Sequence, residues 1–168
     1  YGLYLFLDGA RLGYGLAAPD NDLTLPEIAA LCDVFYIGGT KVGALFGEAV
    51  VIKNPELAQD FRYLIKQNGG MLAKGRLLGL QFDALFTDGL YQVISAHAIA
   101  MAEKLREAFT AKGYTYLAPN RTNQIFVIVP DAHLAKISEQ FEYSYDQRID
   151  ATHSCVRFCT GWATREEN

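Results

Sequence analysis

The fold of this chain is decided by residues 33–44, which read DVFYIGGTKVGA. The run over residues 33–37 predicts a buried strand, which two glycines then break sharply. Lys41 follows directly, among small residues that allow the backbone to lie close to a bulky planar group. Residues 3–7 are continuously apolar and end at Asp8, which predicts a second strand, buried on both faces of the same parallel sheet.

The rest of the chain is predicted to change organisation near residue 112. Apolar spacings of three and four, with proline or turn residues at the starts, predict helices over residues 25–31, 55–68, 71–87 and 90–112. Further on, we expect strands near residues 49–52, 124–129, 143–145 and 155–160, and a helix over 131–141 that Asp131 caps. We therefore expect part of an α/β domain over residues 1–112 and a small α+β subdomain over residues 113–168.

Composition narrows the class of protein. The 168 residues carry a formal charge of −4, so there is no basic surplus for binding nucleic acid. No apolar run is long enough to span a bilayer, so we expect no membrane association. The three cysteines form no CxxC pair and no group has metal-ligand spacing, which favours a soluble, cytoplasmic protein without a metal site. Tyr1 stands almost inside an apolar run, which indicates a fragment of a longer protein.

Three residues near the strand ends are candidates for chemistry. Partial desolvation of Lys41 would make its amine available as a nucleophile toward an aldehyde. A carboxylate at the end of a buried strand, such as Asp8, needs a cationic partner, which a protonated pyridine nitrogen would supply. The alternative partner is Arg11, in an ion pair that closes the turn. The alternative interpretation of Lys41 is an ordinary solvated lysine in a glycine-rich loop.

A resemblance to a known family is carried by four motifs taken together and in order. They are residues 7–12 (LDGARL), 38–41 (GGTK), 156–158 (VRF) and 162–164 (WAT). Together they resemble the threonine aldolase and β-eliminating lyase group of fold-type I enzymes, which depend on pyridoxal 5'-phosphate (PLP). The resemblance implies that the chain is the carboxyl-terminal part of the PLP-binding large domain, followed by the small subdomain.

The resemblance also implies roles for single residues. Lys41 would form the Schiff base with PLP, and Asp8 would bond the pyridine nitrogen and keep it protonated. Arg11 would lie near the phenolic oxygen of PLP or the substrate carboxylate, and Thr40 could bond the phosphate. Arg157 would hold the substrate carboxylate as a planar fork. Without the resemblance, the favoured interpretation is that Arg157 points to solvent from the polar face of a strand.

The activity implied is that of a PLP-dependent lyase acting on an amino acid, with threonine aldolase favoured. That enzyme would convert threonine to glycine and acetaldehyde as a homodimer or homotetramer. β-Eliminating lyase and aminotransferase remain alternatives, as does a non-catalytic fragment that acts as an oligomerisation module. Family members supply the phosphate loop and the ring that stacks on PLP from sequence before the strand that ends at Asp8. These 168 residues alone are therefore expected to bind PLP weakly and to be poorly active.

Overall fold

The computed structural model describes residues 1–167, which form two compact units. The first unit comprises residues 1–16 and 21–94. The second comprises residues 17–20 and the chain from Ser95 onward. The domain boundary at residue 112 stays a prediction. None of the helices in the described part of the chain combines the length and apolar character that a bilayer-spanning segment needs.

The first unit is built on a sheet of three strands in the order β1-β2-β3. Strand β1 is parallel to β2, and β2 is antiparallel to β3. The elements of this unit are β1 (Phe6–Leu7), α1 (Leu12–Leu16), α2 (Leu25–Leu31), β2 (Val34–Gly38), β3 (Glu48–Ile52), α3 (Pro55–Ala58), α4 (Phe61–Gln67) and α5 (Arg76–Phe86). Helix α2 starts at a capping box in which Thr24 and Glu27 satisfy each other's backbone N–H groups.

Two predictions for the first unit are wrong. The strand predicted over residues 3–7 is only two residues long, and residues 3–6 are exposed rather than buried; β1 lies at the edge of the sheet that the described residues form. The single helix predicted over residues 55–68 is divided into α3 and α4. Asp60 lies between them with a left-handed φ of 56°, a conformation that a continuous right-handed helix excludes.

A long helix, α6 (Leu90–Ala111), leads into the second unit. That unit has a sheet with the strand order β4-β5-β7-β6, in which all neighbours are antiparallel, as the sequence predicted for an α+β subdomain. Its elements are β4 (Thr115–Tyr116), β5 (Gln124–Pro130), α7 (Asp131–Ser138), β6 (Ser144–Arg148) and β7 (His153–Cys159). The predicted cap of α7 is wrong, because the Asp131 carboxylate bonds Arg148 and Ser154 instead of the helix backbone.

Strict alternation along β5 makes the core of the second unit. Ile125, Val127 and Val129 are fully buried, and Val156 of β7 lies opposite Val127 on the same face. Ala102 of α6 completes this buried cluster. Because side chains alternate along a strand, the neighbouring residue Arg157 lies on the other face of the sheet, opposite Phe126.

Candidate functional site

The lysine turn, residues 38–41, lies where the chain leaves β2. It is held very close to the loop that follows β1, because the Gly38 N–H donates to the Gly9 carbonyl at 2.9 Å. A Cβ on Gly9 would lie 1.7 Å from the Tyr36 carbonyl oxygen, and one on Gly38 would lie 2.5 Å from the Ala10 oxygen. Only glycine fits at either position, so the two glycines allow Asp8 and Lys41 to follow neighbouring parallel strands.

Three side chains from outside the lysine turn hold its backbone. The Tyr91 hydroxyl donates to the Gly38 carbonyl at 2.9 Å, and the Tyr14 hydroxyl donates to the Lys41 carbonyl. Both tyrosines are almost fully buried. Burial raises the pKa of Tyr91 to about 12, so its hydroxyl remains a donor throughout the neutral range.

The third support is the carboxylate of Glu48, the first residue of β3. Its Oε2 accepts the Gly39 N–H at 2.7 Å, and its Oε1 accepts the Thr40 hydroxyl at 3.2 Å. The Thr40 hydroxyl proton is thus donated to Glu48. Contact between Thr40 and a cofactor phosphate stays a prediction.

Lys41 itself is exposed, so the partial desolvation expected from the sequence is not seen in the described residues, whereas the next residue, Val42, is completely buried. The buried valine fixes the backbone beside the lysine, and the Val42 N–H donates to the Gly39 carbonyl at 2.9 Å. The amine of Lys41 is therefore carried by an ordered turn while remaining accessible to a ligand.

Asp8 is also exposed, and one of its two oxygens takes both of the hydrogen bonds found for it in residues 1–167. Its Oδ1 accepts the Ala10 N–H at 3.1 Å and the Tyr36 hydroxyl. The Tyr36 hydrogen bond is the main reason why the pKa of Asp8 lies below its ordinary value, with smaller contributions from Ala10 and from the charges of Lys41 and Arg11. The same contact with Asp8 raises the pKa of Tyr36 to about 12.

Of the predicted site residues, Asp8, Arg11, Thr40 and Lys41 come together in the first unit. Lys41 and Arg11 are close enough to Asp8 for their charges to lower its pKa. None of the ion pairs within residues 1–167 joins Asp8 to Arg11, so the alternative of a pair that closes the turn is not what the structure shows. The Asp8 carboxylate is anchored by neutral donors instead.

Arg157 lies in the second unit and does not simply point to solvent. It is half-buried, with one terminal nitrogen donating to Gln124 Oε1 at 3.2 Å and the other to Ser144 Oγ at 3.4 Å. Its Nε is buried and has no hydrogen-bond partner among the described residues. A buried guanidinium N–H without an acceptor is costly, so the described residues satisfy this guanidinium only in part.

Sequence reasoning missed four residues of this arrangement: Tyr14, Tyr36, Glu48 and Tyr91. The sequence did give a signal for Tyr36. This residue lies two positions before Gly38, in the strand next to the one that ends at Asp8, so its hydroxyl could be expected near the same strand ends. Glu48 gave a weaker signal, as a carboxylate at the start of an apolar strand. Tyr14 and Tyr91 are far from the lysine turn in sequence and gave none.

No family model matches the chain. Three comparisons with known proteins are informative. A low specificity L-threonine aldolase of a Pseudomonas species is 35% identical over 98% of this chain and 47% of its own length. The structure of a threonine aldolase of Leishmania major is 44% identical and superposes with a TM-score of 0.96, over 99% of this chain and 48% of that one. A serine palmitoyltransferase of Sphingomonas wittichii, 16% identical over 99% of this chain and 44% of that one, shares the fold with a TM-score of 0.65.

These similarities show which class of fold the chain has and which family it belongs to. The fold is that of the carboxyl-terminal portion of threonine aldolase and of other fold-type I PLP enzymes, as the sequence predicted. The chain belongs to the threonine aldolase family. It spans about half the length of the curated relatives that it matches.

Proposed function

We propose that this chain carries the PLP-binding lysine and part of the substrate site of a threonine aldolase. The observation that carries the proposal is the pairing of Asp8 and Lys41 at the ends of neighbouring parallel strands, with both side chains exposed. The membership of the family supports the reaction, because the relatives are named as threonine aldolases.

The residues present fit PLP on chemical grounds. Asp8 is an ionised carboxylate whose Oδ2 has no hydrogen-bond partner among the described residues, which suits a protonated pyridine nitrogen. Lys41 offers an accessible amine to the aldehyde, and Arg11 adds a guanidinium within electrostatic reach of Asp8. We therefore propose that Asp8, Lys41 and Arg11 hold PLP, with Thr40 contributing from the lysine turn.

When bound, PLP supplies an electron sink that stabilises the negative charge left on the substrate Cα when a bond to it breaks. The chain contributes position and charge. Asp8 keeps a proton on the ring nitrogen, and the lysine turn aims the Lys41 amine. The supports from Tyr14, Tyr91 and Glu48 restrict the positions that this amine can take.

We propose that Arg157 binds the carboxylate of the amino-acid substrate. Gln124 and Ser144 orient the guanidinium, and its permanent positive charge suits a carboxylate. A planar guanidinium that grips a carboxylate with two parallel hydrogen bonds fixes orientation as well as affinity, which decides which bond of the substrate is cleaved.

We further propose a homodimer or homotetramer and a cytoplasmic location. The three cysteines are free, which agrees with a reducing compartment.

The test uses the chain expressed together with all the sequence that its gene encodes on either side. We expect the protein to develop a visible absorption band with PLP and to convert threonine to glycine and acetaldehyde. Lys41→Ala should remove both properties, and the control Lys53→Ala, which removes another exposed lysine, should keep both. A band unaffected by Lys41→Ala would contradict the assignment of this lysine.

The same assay separates the aldolase from its alternatives. Pyruvate and ammonia from other amino acids, with no glycine from threonine, would replace the aldolase proposal by a β-eliminating lyase. Transfer of the amino group to a keto acid would indicate an aminotransferase. A protein that binds no PLP would instead be the oligomerisation module that the sequence left open.

A further inference from the structure

The two oxygens of Asp8 have different surroundings. Oδ1 accepts two hydrogen bonds, from the Ala10 N–H and the Tyr36 hydroxyl. Oδ2 accepts none from the residues that the structure describes. The two donors therefore fix the carboxylate in one orientation and leave a single oxygen available.

Tyr36 reaches Asp8 because of the register between the two parallel strands. Phe6 lies beside Val34 and Leu7 beside Phe35, so the same register continues to place Asp8 beside Tyr36. The Tyr36 ring is half-buried and lies 6.1 Å, centroid to centroid, from the ring of Phe6. The position of the hydroxyl thus follows from the strand pairing and from ring packing.

We propose that Tyr36 is a positioning residue, which orients Asp8 so that Oδ2 alone meets the protonated ring nitrogen of PLP. The inference rests on the proposed function, since it assumes that Asp8 is the carboxylate that PLP contacts. Tyr36 acts through Asp8, with no contact to the reacting atoms.

A neutral donor suits this position better than a cation. An arginine or lysine bonded to Oδ1 would neutralise the negative charge that holds the ring nitrogen, whereas a hydroxyl orients the carboxylate and preserves that charge. Because Asp8 raises the pKa of Tyr36 to about 12, the hydroxyl keeps its proton in the working range. The other charged groups that act on this pair are Lys41 and Arg11 on Asp8, and Glu48 on Tyr36.

The experiment compares Tyr36→Phe with the wild-type protein and with Tyr63→Phe, all in the full-length protein. Tyr63 is an exposed tyrosine of α4 and serves as the matched control. The first readout is the pH titration of the Asp8 carboxyl carbon, which NMR monitors in the absence of PLP. The second is the dissociation constant of PLP, measured from its visible absorbance at several pH values.

We expect Tyr36→Phe to raise the pH midpoint of Asp8, because the largest cause of its lowered pKa is removed. PLP binding should weaken about tenfold, the size expected for losing a hydrogen bond to a charged group. Since a raised pKa means that Asp8 is protonated at a higher pH, the loss of affinity should be greatest on the acidic side. Tyr63→Phe should change neither readout.

The outcomes distinguish this inference from the function on which it rests. An unchanged Asp8 midpoint in Tyr36→Phe, or unchanged PLP binding by that variant, would overturn the role of Tyr36. Wild-type protein that binds no PLP would overturn the proposed function and with it the link to the ring nitrogen. A binding loss equal in Tyr36→Phe and Tyr63→Phe would also contradict the inference, because the effect would not be specific to Asp8.

Discussion

At the scale of single residues, Glu48 shows how one carboxylate can order a backbone turn. Its two oxygens accept from two consecutive residues, the Gly39 N–H and the Thr40 hydroxyl. Lys41 is the next residue, so these bonds restrict the backbone that carries the amine. Removing the carboxylate should therefore affect Lys41 without any direct contact between the two side chains.

We expect Glu48→Ala to lower kcat/KM for threonine cleavage about tenfold, since two hydrogen bonds that order the lysine turn are lost. Glu48→Gln should lose less, because the amide oxygen still accepts from Gly39 and the Thr40 hydroxyl can reverse its role. Hydrogen exchange of the Gly39 amide provides a second readout. It should be faster in Glu48→Ala than in the control Glu107→Ala, which alters an exposed position of α6. Equal exchange rates would show that Glu48 does not hold the turn.

The residue types in the sequence predicted part of the candidate site. The other residues of the site were missed for a physical reason. Asp8, Lys41 and Arg157 are charged residues in motifs that resemble the family, so their types and order were informative. Tyr36 and Glu48 act through hydrogen bonds that depend on strand register, and register is set by pairing between distant segments. The buried Tyr14 and Tyr91 looked like ordinary core aromatics, because their hydroxyl contacts are visible only in the folded chain.

At the scale of elements, the close approach of the β1 and β2 ends depends on two glycines. We expect Gly9→Ala to destabilise the fold by about 3 kcal/mol, since its Cβ would overlap the Tyr36 carbonyl and the backbone cannot move away cheaply. The matched change Gly79→Ala, in α5, has open space around the new Cβ. It should leave stability unchanged or raise it by up to about 1 kcal/mol, because alanine favours helix more than glycine does.

Urea unfolding of the two glycine variants provides the measurement. Failure of Gly9→Ala to fold while Gly79→Ala folds would agree with the expectation. Equal unfolding midpoints for Gly9→Ala and the wild-type protein would contradict it, and would mean that the strand ends can separate without loss of stability.

Elements with clear local signals were predicted well from sequence. Helix α2, strand β2 and the end of α6 before Gly113 all have caps, glycines or prolines at their boundaries. The break at Asp60 and the missing cap at Asp131 were not predicted. In the second case a tertiary contact overrides the local preference, since Arg148 and Ser154 compete for the Asp131 carboxylate.

At the scale of the whole molecule, the chain consists of two compact units that carry different parts of the proposed function. The first unit holds Asp8, Arg11 and Lys41, and the second holds Arg157. The proposed division assigns the cofactor to the first unit and the substrate carboxylate to Arg157 of the second.

The most direct test of the role of Lys41 is chemical. The full-length protein is incubated with PLP, reduced with borohydride and digested, and the lysine that carries the pyridoxyl group is located by peptide mass spectrometry. We expect the modification on Lys41, and its loss in Lys41→Ala. A pyridoxyl group on another lysine, or no modified peptide at all, would contradict the assignment of Lys41 as the PLP-binding residue.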